Sequence, residues 1–82
     1  MSRILLAEDD QALARGIVAL LRDAGYSVDQ VERGDRVLPM ELAAPSSLIV
    51  LDIGLPGQSG FDVLRALRHK RGVVQARRSI AR

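Results

Sequence analysis

The chain has 82 residues, a net charge of +2, no cysteine and a single histidine. That length holds one small domain with a modest core. The lack of cysteine excludes disulfides, zinc–thiolate sites and thiol catalysis. No apolar run approaches the ~20 residues of a membrane span, and the first is too short for a signal peptide, so a soluble cytoplasmic protein is expected. The charge is unevenly spread. Residues 1–67 hold ten acids and six bases, whereas residues 68–82 hold six bases and no acid. The basic character therefore belongs to the tail.

Residues 3–7 (Arg-Ile-Leu-Leu-Ala) read as a first strand. Asp10 then offers an N-cap, and Ala12, Leu13, Ile17, Leu20 and Leu21 fall at helical spacing on one face. Arg15, Arg22 and Asp23 take the other face. Gly25 should end this helix near residue 24, as a C′ glycine. Tyr26 to Val31 alternates and reads as a second strand at the sheet edge. Arg33-Gly34-Asp35 reads as a turn that caps a second helix, from about Arg36 to Ala43. Pro39 removes a backbone donor early in that helix, which should be short or irregular. Residues 44–47 form a loop. Gly60-Phe61 opens a third helix, lasting to about His69, with Val63, Leu64 and Leu67 facing inward. After Gly72 the pattern dissolves. Val73-Val74 is too brief for a buried strand, and the Arg-rich remainder has no apolar face.

The central stretch is Leu48-Ile-Val-Leu-Asp52, followed by Ile53-Gly54-Leu55-Pro56-Gly57-Gln58-Ser59-Gly60. Its uninterrupted apolar run suits a strand buried on both faces of a parallel sheet. Asp52 then stands at the carboxyl end of the strand, the edge where open α/β sheets bind ligands. The first strand likewise ends in acids, Glu8, Asp9 and Asp10. Parallel, adjacent strands would bring Glu8, Asp9 and Asp52 together, and carboxylates so placed normally mark a bound cation. Hard oxygen ligands with room for a phosphoryl group make Mg²⁺ the first choice. A β-α-β-α-β-α unit with strand order 2-1-3 supplies the required adjacency, and right-handed crossovers are expected for it.

Three blocks, Ile4-Leu5-Leu6-Ala7-Glu8-Asp9-Asp10, Gly25-Tyr26-Ser27-Val28-Asp29 and Leu51 to Gly60, resemble the receiver domain of two-component response regulators. The fold is flavodoxin-like (CheY-like), and the likeness is closest to the OmpR/PhoB type, whose full-length members carry a DNA-binding domain. It covers residues 3–71. The resemblance implies that Asp52 accepts a phosphoryl group from a phosphohistidine on a sensor histidine kinase. It implies that Asp9 and Asp52 bind Mg²⁺ directly, that Glu8 reaches it through water, and that the Gly54 carbonyl supplies another oxygen. Asp10 is then the helix cap, Pro56 and Gly60 shape the turn, and the protein is not an enzyme. His69 reads as plain surface, because the donor histidine of the family sits on the kinase.

The resemblance is incomplete. A receiver normally adds two strands and two helices, with a Ser or Thr and then a Lys at the strand ends. Lys70 and Ser79 do not stand where those residues would. The chain therefore reads as a receiver cut after the third helix (1–71) with an unpatterned basic tail (72–82). Strand three would become an exposed edge and could pair with a second copy. A non-switching module that binds a kinase or a full-length regulator is the alternative function. Contact with DNA is expected only through an output domain that this sequence lacks. The basic tail alone has no aromatic residue for stacking and would offer nonspecific, salt-sensitive binding at most.

Overall fold

A computed structural model describes residues 2–52, 54–71 and 75–77. Strand β1 (Arg3–Ala7) leads to helix α1 (Gln11–Asp23), then β2 (Ser27–Val31), a 3-10 turn (Gly34–Arg36) and α2 (Val37–Ala43). Strand β3 (Leu48–Asp52), helix α3 (Gly60–Arg71) and a short β4 (Gln75–Arg77) complete the order. The sheet is parallel, in the order β2-β1-β3-β4. The expected 2-1-3 arrangement is therefore present.

Both faces of the sheet are apolar because both are covered. Along β1, Ile4 and Leu6 join Ala14 and Val28 in one cluster, against Ile17, Val18 and Leu21 of α1. Leu5 and Ala7 join the opposite cluster with Ile49, Leu51, Val37, Val63 and Leu67, beneath α2 and α3. The alternation follows from the two-residue repeat of a strand. The change of side follows from the change in direction of travel. From β1 the chain steps outward to β2, then back across β1 to β3, and right-handed crossovers place those two connections on opposite faces.

Helix α1 begins where the sequence indicates. Asp10 is its N-cap, its side chain accepting from the Leu13 N–H at 3.1 Å. Gly25 follows the Ala24 C-cap at φ +97°, a conformation that favours glycine. Its buried face differs from the expected one. The inward stripe is Ala14, Ile17, Val18 and Leu21, whereas Ala12 is exposed and Leu20 is 72% exposed. Spacing alone allowed two overlapping stripes, and the sheet selects the one centred on Ala14, whose small side chain admits close approach.

Helix α2 is short, as Pro39 demands; the proline lies in the first turn, where its missing donor costs little. Asp35 does not cap it. The 3-10 turn sets Arg36 at the N-cap position with no side-chain bond, and the Asp35 carboxylate accepts instead from Arg33 Nε at 3.0 Å. Helix α3 has a cap the sequence reading passed over, Ser59, whose Oγ accepts from the Phe61 N–H at 3.2 Å. Val63 and Leu67 are buried beneath it, as expected.

Strand three is not an edge. Residues 75–77 pair in parallel with Val50–Asp52, so β4 lies along the border expected to be exposed and expected to recruit a second copy. The open hydrogen-bonding groups of β3 give a passing segment bonds that its own composition, Gln-Ala-Arg, does not advertise. Residues 72–74 and 78–82 of the expected tail, including Ser79, lie outside the described residues, as do the side chains of His69 and Lys70.

A candidate metal and phosphoacceptor site at the strand ends

The register places the acids. Ile4 pairs with Leu48 and Ala7 with Leu51, so the next step along both strands sets Glu8 opposite Asp52. One ligand oxygen from each of Glu8, Asp9 and Asp52 lies within 4.8 Å of the others. Glu8 and Asp52 are fully buried, and Asp9 is half-buried at the mouth. The three residues singled out in the sequence are thus brought to one point.

Backbone bonds hold Glu8 and Asp52. The Glu8 N–H donates to the Val31 carbonyl at 3.0 Å, which extends the β1–β2 pairing past the end of β1. The Glu8 carbonyl accepts from Gln30 Nε2 at 3.1 Å, and its carboxylate accepts from the Asp10 N–H at 3.1 Å. At Asp52, one carboxylate oxygen accepts from the Gly54 N–H at 2.9 Å. The turn after β3 therefore orients the Asp52 carboxyl group and brings residue 54 back beside it. Asp10 stands apart, committed to capping α1.

The donor set suits a small hard cation. Carboxylate oxygens from two strand ends, with no sulfur and no imidazole among them, favour Mg²⁺ or Ca²⁺ over softer metals. Two oxygens opposite each other on Mg²⁺ stand about 4.2 Å apart, so the observed spread is close to one coordination shell. Bringing carboxylates this near raises their mutual repulsion, which a divalent ion relieves.

Two contributors escaped the sequence reading. Gln30 is one, its amide holding the main chain at Glu8; a polar residue near the end of an edge strand gives no signal of its own. Gly34 is the other. It is buried, its N–H donates to the Pro56 carbonyl at 2.9 Å, and it packs against the main chain of Gln58.

Comparison with known proteins agrees with this geometry. The family model described as the response regulator receiver domain matches residues 4–77, and the chain belongs to that family. The response regulator protein PmrA of Pseudomonas aeruginosa is 50% identical over 68 residues, which span 83% of this chain and 31% of PmrA. The chain thus covers about a third of the length of the curated relatives it matches, which include transcriptional regulatory proteins. Among solved structures, the response regulator TrrA of Thermotoga maritima in complex with Mg²⁺-BeF matches with a TM-score of 0.85 at 30% identity. That match covers 93% of this chain and 66% of TrrA. The structure of TrrA in complex with the histidine kinase ThkA matches with a TM-score of 0.83, at the same identity and coverage. A receiver domain of this family is a regulatory element and not an enzyme. Among the described residues, no helix is long and apolar enough to cross a membrane.

Proposed function

We propose that this chain is a phosphoacceptor receiver in which Asp52 takes a phosphoryl group from the phosphohistidine of a sensor kinase. The observation that carries the reading is the convergence of Glu8, Asp9 and Asp52 within 4.8 Å at the carboxyl end of the sheet. Asp9, Asp52 and the Gly54 carbonyl would hold Mg²⁺ directly, with Glu8 reaching it through water. Mg²⁺ held there would supply positive charge to offset the negative charge of the phosphoryl oxygens.

The remaining work falls to the protein. An Asp52 carboxylate oxygen attacks phosphorus in line with the departing nitrogen. The P–N bond breaks, its electron pair returns to the imidazole, and an acyl phosphate remains on Asp52. The Gly54 N–H holds one carboxylate oxygen and so presets the plane of the nucleophile before the donor arrives. A kinase partner is supported by the likeness to TrrA, which has been seen bound to one. A cytoplasmic setting, and DNA contact through an output domain of the longer relatives, belong to the same proposal.

Intact-mass spectrometry after incubation with acetyl phosphate and Mg²⁺ tests the reading, with Asp52→Asn as control. One phosphoryl adduct, absent from the variant and from a sample treated with chelator, is expected. A folded wild-type chain that gains no adduct overturns the phosphoacceptor role and leaves the module that binds a kinase or regulator without being phosphorylated.

A further inference from the structure

We infer that Gly34, outside the acid cluster, is a positioning residue for the metal site, because its missing side chain lets the turn after β2 lock the loop that carries Gly54. The inference rests on the metal-assisted reading above. The loop leaves β3 at Asp52 and enters α3 at Gly60. At its near end the Gly54 N–H is tied to Asp52, and Leu55 is buried in the core at 6% exposure. Beyond Leu55, contacts from the turn after β2 meet the loop at Pro56, Gly57 and Gln58.

Those contacts are close and specific. Gly34 donates its N–H to the Pro56 carbonyl at 2.9 Å. A Cβ on Gly34 would strike the Gln58 carbonyl oxygen, a main-chain atom with no side-chain freedom to yield. Gly57 stands at φ +85°, and a Cβ there would lie 2.6 Å from Asp35 Oδ1 and 3.0 Å from Arg33 Nη2. The Arg33–Asp35 ion pair therefore packs over Gly57, while Gly34 bonds its neighbour. Two turns from different βα connections interlock through glycines that face each other's main chain or ion pair.

Position 54 lies between these two anchors, the Asp52 carboxylate and the clamp at 56–58. Making room for a methyl group at Gly34 moves the clamp by roughly an ångström, because the Gln58 carbonyl oxygen lies far inside van der Waals contact, and that movement shifts the Gly54 carbonyl relative to Asp52. A ligand set for Mg²⁺ tolerates such shifts poorly, since the ion demands near-ideal octahedral geometry. Gly34 thus acts on the metal through the loop and touches neither the ion nor the phosphoryl group.

The test is Gly34→Ala, compared with wild type and with Gly16→Ala, a helical site where a Cβ meets nothing within 4 Å. Calorimetric titration with MgCl₂ should show affinity weakened about tenfold or more in Gly34→Ala and unchanged in Gly16→Ala. A Gly34→Ala protein with a lowered melting temperature but wild-type Mg²⁺ affinity overturns the inference, leaving a packing role only. Should the variant fail to fold, amide hydrogen exchange on the wild type decides: saturating Mg²⁺ should slow exchange at the Gly34 N–H, and an unchanged rate refutes the coupling. A wild-type chain that binds no Mg²⁺ at all refutes the metal site itself, a separate failure.

Discussion

Ser46 donates both its backbone N–H and its hydroxyl to the carboxylate of Glu41, at 2.6 and 2.7 Å to the same oxygen, where both residues are buried. The pair joins the end of α2 to the entrance of β3. A carboxylate so deep is tolerable because hydrogen bonds replace its water. Removing the hydroxyl should be costly, since a hydrogen bond to a buried charge contributes about 1.5–3 kcal/mol. Ser46→Ala is therefore expected to lose about 2–3 kcal/mol in urea unfolding. Glu41→Gln should lose less, because its side-chain oxygen can keep the Ser46 N–H while its NH₂ donates to the Ser46 hydroxyl oxygen, which also accepts.

The packing of α1 yields a sharper comparison. Ala14 is fully buried between helix and sheet, whereas Leu20 is 72% exposed. Ala14→Leu should overpack the interface and cost about 1–3 kcal/mol. Leu20→Gln should stay within about 0.5 kcal/mol of wild type. The reverse ranking in chemical denaturation would return Leu20 to the core and reject the Ala14 stripe.

The strand ends were legible in the sequence because strong local signals met there. Short apolar runs fixed β1 and β3, and acids directly after Ala7 and Leu51 could only lie at carboxyl ends. Strand order then followed from needing those acids adjacent. Other features depend on contacts between residues far apart in the chain. Gly34 gives no sign that Gln58 lies against it, and nothing beside Glu41 in the sequence tells that Ser46 folds over it. Residues 75–77 have almost no strand propensity, and it is the open edge of β3 that gives them a place. The expected stripe on α1 kept Ile17 and Leu21 but missed Ala14 and Val18 for a related reason, since periodicity defines an apolar arc but the sheet chooses its centre.

Metal removal should be readable as stability, without any phosphoryl donor. A ligand that binds only the folded state stabilises it by RT ln(1 + [L]/Kd), about 1.4 kcal/mol at ten times Kd. Adding MgCl₂ should raise the melting temperature, and EDTA should reverse the rise. Asp9→Asn keeps the side-chain shape but removes a charge from a cluster whose oxygens lie within 4.8 Å. Its melting temperature should respond to Mg²⁺ far less than that of wild type. An equal response in both proteins would move the ion to another site.

The border of β3 depends on β4. Val50, Leu51 and Asp52 are matched by Gln75, Ala76 and Arg77, so deleting residues 73–82 strips the hydrogen-bonding partner from that side. The exposed groups would then belong to a strand whose side chains are apolar on both faces, a combination that invites pairing with another chain. Sedimentation velocity should show the shortened chain self-associating at concentrations where the 82-residue chain does not, together with a lower urea midpoint. The direction matters more than the size, because β4 contributes only three residues. If the shortened chain sediments and unfolds as the longer one does, β4 is not holding the edge, and the expectation of an open third strand returns. Mg²⁺ titration of the shortened chain then asks a separate question. Glu8, Asp9 and Gly54 all lie outside β4, so the metal should still bind, though more weakly wherever the end of β3 frays.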